Sequence, residues 1–439
     1  MNAVGAKFEV AAISMERKVR VLVFPCGSEV GLEIYRSLAR DTHIDLHGAS
    51  STSSNHGKYV YTDYTDGLPF ITDPGFFDAL NTLIRSRGID YLFPAMDCVA
   101  LELATHQERL ACKIVGSPLE TCRICCSKRA TYEALSGVMP VPTLYRDLDR
   151  VPRWPIFLKP DCGYGSRGTH VAGSREEAQF FLNREKGLLA MEYLPGREYT
   201  VDCFTDRHRN LLFAGARERL RIQNGISVHS RAVEGAVFQE LARAINAGLP
   251  LRGVWFFQVK ESCDGALTLL EVAPRVAGTM ALYRNLGVNL ALLSVFDAME
   301  MDVSVQVNSF QIEVDRALAG RFHTDLSYDH VYMDLDDCLI CDGLVNTQAV
   351  AFLYQCVNRK IAVHLLTRHG GSVSETLRRT RLCGLFDDII HLQSGERKSD
   401  FIRHVNAIFI DDSFGERNDV HKQKGIPVFA PDAIECLMM

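Results

Sequence analysis

Carboxylates are crowded at the ends of two strand-like segments in the last quarter of the chain. VYMDLDDCLI places Asp334, Asp336 and Asp337 at the end of an apolar run, and IFIDD ends in Asp411 and Asp412. Carboxylates gathered at one place repel each other unless a cation or a reaction stabilises them. A solvated acidic turn would explain either segment alone, but the repetition of the arrangement favours a bound metal ion.

Two further residues extend this pattern. LLTRH brings Thr367 to the end of another apolar run, and GERKSD supplies Lys398. In this order the residues resemble the haloacid dehalogenase (HAD) superfamily over 328–439. The resemblance implies that Asp334 forms an aspartyl phosphate, that Asp336 is the general acid and base, and that Thr367 and Lys398 hold the phosphoryl group. It also implies a Mg²⁺ site formed by Asp334, Asp336, Asp411 and Asp412.

The spacing of these residues leaves no room for an inserted cap domain. Thr367 follows Asp334 by 33 residues and Lys398 follows Thr367 by 31, which is enough for the core helices and strands. We therefore expect an open, capless site whose substrate is bulky or is covered by a neighbouring domain. Cys338 departs from the family, which usually has Thr or Val there, and we expect this change to affect packing with little loss of function.

A second group of polar residues lies in the middle third of the chain. WPIFLKPDCGYGSRGTH places Lys159 at the end of a predicted strand, before a glycine-rich loop. Glycines let backbone N–H groups approach anionic oxygens, and the lysine adds a positive charge, so the segment suits a phosphate. Such a loop by itself is more often a simple turn, and two further motifs change that balance.

The first of these motifs, MEYLPGREYT, offers Glu192 and Glu198 as acceptors for ribose hydroxyls or an adenine amino group. The second, WFFQVKESCDGALTLLEVAPR, predicts a hairpin with Gln258 and Glu271 on its two strands and Arg275 just beyond. Oxygen ligands on adjacent strands suit Mg²⁺, which takes one or two carboxylates and completes its shell with phosphates and water.

Together these motifs resemble the ATP-grasp ligases over 19–322, especially the branch of the carbamoyl phosphate synthetase large subunit and the amino-acid ligases. The resemblance implies metal binding by Gln258 and Glu271 and stabilisation of an acyl phosphate by Arg275. The ATP contacts that it implies are Lys128, Lys159, Gly163, Gly165, Ser166, Gly168, Glu192, Tyr193, Leu194 and Glu198. Where the family commonly has Glu-x-Asn-Pro-Arg, this chain has Ala273 in place of the Asn. One ion therefore loses a ligand, or Glu271 bridges both ions while water fills the gap.

Acyl phosphates hydrolyse easily, so such a site needs a closing loop. GARERLRIQNGISVHS contains Arg217, Glu218 and Arg219 ahead of a glycine, and we expect this segment to form the loop. His229 lies beside it, where contact with substrate and simple solvation are equally good interpretations.

Alternating apolar runs and amphipathic stretches position these motifs. Strand–helix alternation predicts a Rossmann-like domain at 19–115 after a tail at 1–18, a mixed α+β ATP-grasp domain at 116–322, and a Rossmann-like HAD domain at 328–439. The fold class is thus α/β and α+β, with several domains. In PCGSEVG, Gly27 and Gly31 suit either a phosphate contact or a tight strand-to-helix turn.

Composition excludes several classes of protein. The 439 residues have a formal net charge of -6, with no basic run for nucleic acid and no apolar stretch long enough for a membrane span. The start of the chain lacks the pattern of a signal peptide, so we expect a cytoplasmic protein with reduced thiols. Of its 14 cysteines, Cys203, Cys263 and Cys356 are predicted to lie in the core, and the Cys122, Cys125 and Cys126 cluster favours buried thiols on a helix over zinc.

The sequence therefore predicts a bifunctional enzyme. An ATP-dependent ligase would join a small carboxylate to an amine, and a HAD phosphatase would act on a phosphorylated small molecule of the same pathway. The expected cofactors are ATP and Mg²⁺, with Mn²⁺ as the alternative ion, and a homodimer is the default assembly. The alternatives are a HAD phosphatase with a non-catalytic, nucleotide-sensing ATP-grasp domain and, less favoured, an interaction scaffold.

Overall fold

The computed structural model describes residues 17–163, 165 and 167–438, and the chain divides into two compact units, Met1–Ala317 and Leu318–Met439. Of the predicted tail, residues 1–16 lie outside the described residues, and so does Ser166 of the glycine-rich loop. The division between the units falls a few residues before the boundary that the sequence predicts at 322–328.

A parallel sheet of five strands begins the first unit. Its elements are β1 (Val19–Phe24), α1 (Glu29–Leu38), β2 (Ile44–Ala49), β3 (Asp63–Thr65), α2 (Phe76–Arg87), β4 (Tyr91–Pro94), α3 (Asp97–Thr105) and β5 (Lys113–Ile114). The strand order is β3-β2-β1-β4-β5, and helices connect neighbouring strands. Residues 21–24 of β1 are buried whichever face they point to, as expected for a sheet covered on both sides.

The turn after β1 is tight for a steric reason. A Cβ atom on Gly31 would lie 2.4 Å from the backbone oxygen of Cys26, and one on Gly27 would lie 2.2 Å from the side chain of Asn55. Ser28 caps α1 by accepting from the N–H of Gly31. Close packing of the turn therefore accounts for both glycines without a phosphate.

An antiparallel sheet of four strands comes next. Its segment contains α4 (Leu119–Cys126), α5 (Lys128–Leu135), β6 (Leu144–Tyr145), β7 (Ile156–Pro160), β8 (His170–Ala172), α6 (Arg175–Arg184) and β9 (Leu188–Glu192). The strand order is β6-β9-β7-β8. Cys122, Cys125 and Cys126 lie on α4 as free thiols, and burial raises the pKa of Cys122 and Cys126 to about 12, so the expectation of thiols on a helix is confirmed.

A larger antiparallel sheet completes the first unit. Its elements are β10 (Glu198–Thr205), β11 (Leu211–Gln223), β12 (Ile226–Val233), α7 (Ala236–Gly248), β13 (Gly253–Glu261), β14 (Leu267–Ala273), α8 (Ala281–Asn285), α9 (Leu290–Ala298) and β15 (Glu313–Asp315). The strand order is β14-β13-β10-β11-β12-β15. Trp255 and Phe257 alternate along β13 in the buried core beneath α7.

Two predictions about this region were wrong. The segment expected to be a closing loop forms strands β11 and β12, which join at Asn224 and Gly225, and Arg217 is buried by strand pairing. Its alternating polar and apolar residues suit a strand whose two faces differ. Cys203 and Cys356 are buried as expected, but Cys263 is exposed because it lies in the turn between β13 and β14.

The second unit has a parallel sheet of its own. Its elements are β16 (His330–Met333), β17 (Ile340–Cys341), β18 (Leu344–Val345), α10 (Thr347–Asn358), β19 (Ala362–Thr367), α11 (Val373–Arg379), β20 (Asp388–His391), α12 (Lys398–Phe401), β21 (Ala407–Ile410), α13 (Phe414–Lys424) and β22 (Val428–Phe429). The strand order is β20-β19-β16-β21-β22. Between β16 and β20, which are described without a gap, only the β17–β18 hairpin, α10, β19 and α11 intervene, so no further domain is inserted there.

Three histidines stack near the amino ends of the strands in the second unit. The ring centroids of His330 and His404 are 3.5 Å apart, and His330 Nδ1 lies 3.0 Å from His364 Nε2. Burial lowers the pKa of both His330 and His364, and the neighbouring imidazoles lower it further, whereas Asp387 acts in the opposite direction. The neutral imidazole is therefore favoured at His330 and His364.

This cluster makes a prediction about stability. Below about pH 6.5 the unfolded chain takes up protons at His330 and His364 that the folded chain resists, so the stability present at pH 7 is lost as the pH falls. We expect the thermal transition of the second unit to move to lower temperature between pH 7 and pH 5, and His364→Gln to weaken this dependence. Calorimetry of the full chain measures it, with His421→Gln as the control, and an unchanged slope in His364→Gln would contradict the assignment.

No helix among the described residues combines the length and the apolar character needed to cross a membrane.

Candidate functional site

A cleft in the first unit gathers most of the residues expected to bind ATP. It lies where β7 and β9 of the four-stranded sheet approach β10, β13 and β14 of the larger one. The predicted residues that line it are Lys128, Lys159, Gly163, Gly165, Glu192, Tyr193, Leu194, Glu198, Gln258 and Glu271. Gly168 belongs to the loop above it, where Gly165 and Gly168 have φ values of +64° and +66° that favour glycine.

Lys159 is buried in this cleft at the end of β7. Its Nζ donates to the backbone oxygen of Leu270 at 3.1 Å and lies over the ring of Tyr132. Burial lowers the pKa of Lys159 to about 8, although the carboxylate of Glu271 opposes this shift. A buried ammonium that donates to a neutral carbonyl oxygen is well suited to an anionic ligand.

This pKa predicts how nucleotide binding depends on pH. Without nucleotide, Lys159 is largely protonated at pH 7 and largely neutral at pH 9. We expect the affinity for ATP to fall as the pH rises, by at most about tenfold per pH unit above pH 8, because binding then takes up a proton. Calorimetric titration with ATP measures the slope. Lys159→Arg, which stays charged, should remove it, and an equal slope in that variant would contradict the prediction.

Lys128 hydrogen-bonds to the backbone at the start of the glycine-rich loop. Its Nζ donates to the backbone oxygens of Asp161 and Gly163, each at 3.2 Å. The Asp161 carboxylate in turn accepts from the hydroxyl of Ser127 and from the N–H of Arg129 at the start of α5. The amino end of α5 and the start of the glycine-rich loop are thereby joined.

Strand register brings the predicted metal ligands together. Gln258 on β13 and Glu271 on β14 are direct cross-strand partners. Ala273, two residues beyond Glu271, is buried in the same apolar cluster as Phe256 and supplies no oxygen. The pair therefore offers one carboxylate and one amide oxygen, a set that fits Mg²⁺ completed by phosphates and water.

Arg219 is a site residue that the sequence placed wrongly, in a loop. From β11 it forms an ion pair with Glu198, and its Nη1 donates to Gln258 Oε1 at 2.8 Å. Lys260 Nζ also lies 3.7 Å from Glu198, so the carboxylate predicted to bind ribose has two cationic neighbours. The i, i+2 spacing of Arg217, Arg219 and Arg221 is the signal that would have identified a strand with arginines along one face.

Arg275 lies in a cavity that adjoins the cleft expected to bind ATP, called the nucleotide cleft below. Its Nε donates to Asp97 Oδ2 at 2.8 Å, and its guanidinium lies over the ring of Phe256. Asp97 opens α3 in the five-stranded parallel sheet, 178 residues earlier in the chain. His229, in contrast, pairs with Glu313 at 3.1 Å and lines neither cavity.

The second unit brings its predicted residues together at the carboxyl ends of β16, β19 and β21. Lys398 Nζ lies 2.9 Å from Asp334 Oδ2 and 2.6 Å from Asp411 Oδ2, and all three side chains are buried. Burial raises the pKa of Asp334 and raises that of Asp411 to about 6, while Lys398 acts in the opposite direction on both. The Thr367 hydroxyl also lowers the pKa of Asp334.

These carboxylates fit a cation. One ligand oxygen each from Asp334, Asp411 and Asp412 lies within 4.8 Å of the others, and Asp334 Oδ1 is buried without a hydrogen-bond partner. The side chain of Asp336 is not in this group. Both of its oxygens lie 2.9 Å from His369 Nδ1, and His369 Nε2 lies 2.9 Å from the Thr376 hydroxyl.

His369 was missed by the sequence analysis, although it follows Thr367 by two residues in LLTRH. Cys338 behaves as expected, because its side chain is fully buried in the core of the second unit.

Comparisons with known proteins bear on the first unit. Residues 184–317 match the family model described as "ATP-grasp in the biosynthetic pathway with Ter operon". No curated protein sequence matches the chain.

Three solved structures resemble the chain at low sequence identity. Pyruvate carboxylase of Rhizobium etli matches 64 % of this chain at 18 % identity and a TM-score of 0.52, but the match spans only 28 % of that chain. The biotin carboxylase domain of 2-oxoglutarate carboxylase from Hydrogenobacter thermophilus was solved with MgADP, ADP and bicarbonate. It matches 66 % of this chain and 71 % of its own length, at 14 % identity and a TM-score of 0.54. An L-amino acid ligase from Bacillus licheniformis matches 65 % of this chain and 75 % of its own length, at 17 % identity and a TM-score of 0.53. The chain therefore contains an ATP-grasp fold.

Proposed function

We propose that the protein is a bifunctional enzyme in which an ATP-grasp ligase accompanies a HAD-type phosphatase. The observation that carries the ligase is the convergence of Lys159, Gln258 and Glu271 on one cleft of an ATP-grasp fold. The phosphatase is supported by Asp334, Lys398 and the neighbouring aspartates at the carboxyl ends of parallel strands.

The ligase reaction follows from the weakness of a carboxylate as an electrophile. A carboxylate oxygen attacks the γ-phosphorus of ATP, the bond to the β-phosphate oxygen breaks, and ADP leaves. The amine then attacks the acyl carbon and forms the C–N bond, the bond from the acyl carbon to the phosphate oxygen breaks, and the nitrogen loses one proton to water. Lys159 and Arg275 would stabilise the negative charge on the transferring phosphoryl group and the acyl phosphate, and bound Mg²⁺ would supply further charge neutralisation.

The names of the similar proteins support this class of reaction. One joins amino acids, and another was solved with MgADP and bicarbonate. At 14 to 18 % identity these likenesses establish the fold, and the carboxylate and amine substrates of this chain are part of our proposal.

The phosphatase reaction uses a nucleophile of the chain itself. Asp334 attacks the phosphorus of a phosphate monoester, the P–O bond to the leaving group breaks, and Asp336 donates a proton to the departing oxygen. Asp336 then removes a proton from a water molecule as the water oxygen attacks the phosphorus. The P–O bond to Asp334 breaks, and phosphate is released. Lys398 and Thr367 hold the phosphoryl oxygens, His369 positions Asp336, and Mg²⁺ bound by Asp334, Asp411 and Asp412 would supply charge neutralisation.

The ligase is tested by the dependence of ADP formation on both substrates. Purified protein with Mg²⁺ and ATP is incubated with pooled carboxylic acids and amines, and ADP and new masses are measured. We expect ADP release that needs an acid and a product that needs both an acid and an amine. ADP formation that no acid stimulates, or that yields no condensed product, would contradict the ligase.

The second candidate function is a nucleotide sensor beside an active phosphatase. The absence of an oxygen ligand at Ala273 favours it. A sensor would bind ATP in the same titration but form no ADP with any acid and amine of the panel, so the same experiment separates the two functions.

A further inference from the structure

The cavity that adjoins the nucleotide cleft has features that define a class of ligand. It shares Gln258, Glu271 and Arg219 with the cleft and extends from them toward the five-stranded parallel sheet. Two segments of that sheet line it, Ser28 to Val30 after β1 and Ala95 to Cys98 after β4.

These two segments lie at a particular point of the sheet. β1 and β4 are adjacent in the order β3-β2-β1-β4-β5, where the direction of the chain across the sheet reverses. Ligands of open parallel sheets bind in the crevice outside the carboxyl ends of such strands. The amino ends of α1 and α3 also border the cavity, and their partial positive charge favours an anion.

The larger sheet contributes a row of polar side chains to the same cavity. Arg217, Thr200, Gln258 and Glu271 are cross-strand partners in succession on β11, β10, β13 and β14. Adjacent strands are about 4.8 Å apart, so Thr200 and Arg217 lie about 5 and 10 Å from Gln258 along this row. The row therefore has a metal-binding end and an arginine end that one carboxylate cannot reach together.

Hydrogen-bond donors at the arginine end lack partners. Arg217 Nη1, Arg316 Nη1 and the Thr200 hydroxyl are buried without a hydrogen-bond partner, and so is Arg219 Nε. The side chain of Arg217 is 2 % exposed, and Thr200 is 1 % exposed. Four of the six such atoms recorded for the described residues thus belong to residues that line this cavity.

The existing ion pairs do not satisfy these donors. Arg217 pairs with Asp202 at 2.8 Å and Arg316 with Glu29 at 2.6 Å. Each guanidinium carries five N–H donors, so N–H groups that face the cavity remain after one carboxylate has bound. Because a guanidinium only donates and stays charged, an oxyanion is the acceptor that forms the strongest hydrogen bonds with it.

We propose that the acid substrate carries a second anionic oxygen group, which Arg217, Arg316 and Thr200 bind while its reacting carboxylate lies at the Gln258 and Glu271 end. This inference rests on the proposed ligase and names its substrate class, an acid with two anionic groups, which we call a dianion whatever the charge of the second group. A phosphate monoester and a second carboxylate share the required chemistry.

The test compares acids that differ only in the second anionic group. Calorimetric titrations of the full chain with MgADP use three pairs: butanoate and succinate, pentanoate and glutarate, and glycerate and 3-phosphoglycerate. We expect the dianion of at least one pair to bind at least about tenfold more tightly, since a hydrogen bond to a charged group has about this effect. The carboxylate pairs and the phosphate pair identify which source of the oxyanion is bound.

Variants assign the preference to this end of the cavity. Thr200→Val removes one hydroxyl at nearly constant volume, and Arg316→Gln removes one partly exposed charge. Both should reduce the preference for the dianion to less than about threefold, and Thr200→Ser should restore it. Arg150→Gln, an exposed arginine outside the cavity, is the matched control and should keep the preference. Arg217 is left intact because its loss would strand the buried Asp202 charge.

The binding experiment can contradict the second anionic site without contradicting the proposed ligase. If no dianion binds more tightly than its partner, or if Thr200→Val and Arg316→Gln keep the preference unchanged, a second anionic group is not bound here. The readout is binding, so a chain that prefers dianions but forms no ADP with them would retain this site and lose the proposed ligase. A chain that forms ADP only with monoanionic acids would retain the proposed ligase and lose the site for a second anionic group.

Discussion

Asp334→Asn is expected to lower phosphate release from p-nitrophenyl phosphate by about 10³-fold or more. The substitution keeps the size of the side chain but removes the oxygen nucleophile, and losses of this order or larger follow when a nucleophile is removed. Lys398 keeps its ion pair with Asp411, so the buried ammonium stays compensated. We expect the thermal transition to change little, because Asp334 is itself a charge that burial disfavours.

Asp342→Asn provides the matched control for this variant. Asp342 is an exposed aspartate in the turn between β17 and β18, and its positive φ of +51° is one that asparagine adopts readily. Its activity should equal that of the wild type. A rate for Asp334→Asn within tenfold of the wild type, from protein that folds normally, would refute Asp334 as the nucleophile.

Glu271→Gln is expected to reduce acid-dependent ADP formation by about 10²-fold or more while ATP still binds. The change removes the only carboxylate of the Gln258 and Glu271 pair, and with it much of the charge stabilisation available to a divalent cation. It also removes a charge that raises the pKa of Lys159, so this lysine loses its proton at lower pH than in the wild type. Nucleotide affinity at pH 8 should therefore fall as well.

Glu240→Gln, an exposed glutamate on α7, serves as the control and should form ADP at the rate of the wild type. Phosphate release from p-nitrophenyl phosphate, assigned to the second unit, should persist in Glu271→Gln and shows that this unit is folded. Binding of ATP, measured by calorimetric titration, shows that the first unit is folded. Normal acid-dependent turnover in Glu271→Gln would remove Glu271 from the proposed site and would favour another arrangement of ligands.

The order of local motifs was enough to predict much of this protein. Apolar runs predicted the strand that carries Lys159 and the strands that end just before Asp334 and Asp411, because each pattern lies within a few consecutive residues. The spacing from Asp334 to Thr367 likewise predicted that no domain intervenes, since chain length alone limits what can be inserted. The hairpin of Gln258 and Glu271 was predictable for the same reason, as a short turn joins its strands.

Contacts between distant segments were decided by the tertiary structure. Arg219 contacts Glu198 and Gln258 because β10, β11 and β13 pair in one register. The sequence of a single strand does not determine its register with the neighbouring strands. Arg275 reaches Asp97 across 178 residues, and His369, after β19, lies against Asp336, after the neighbouring strand β16. The sequence by itself determined which residues could do phosphate chemistry, whereas packing determined their partners, because burial and strand pairing leave each charge only the neighbours that the fold supplies.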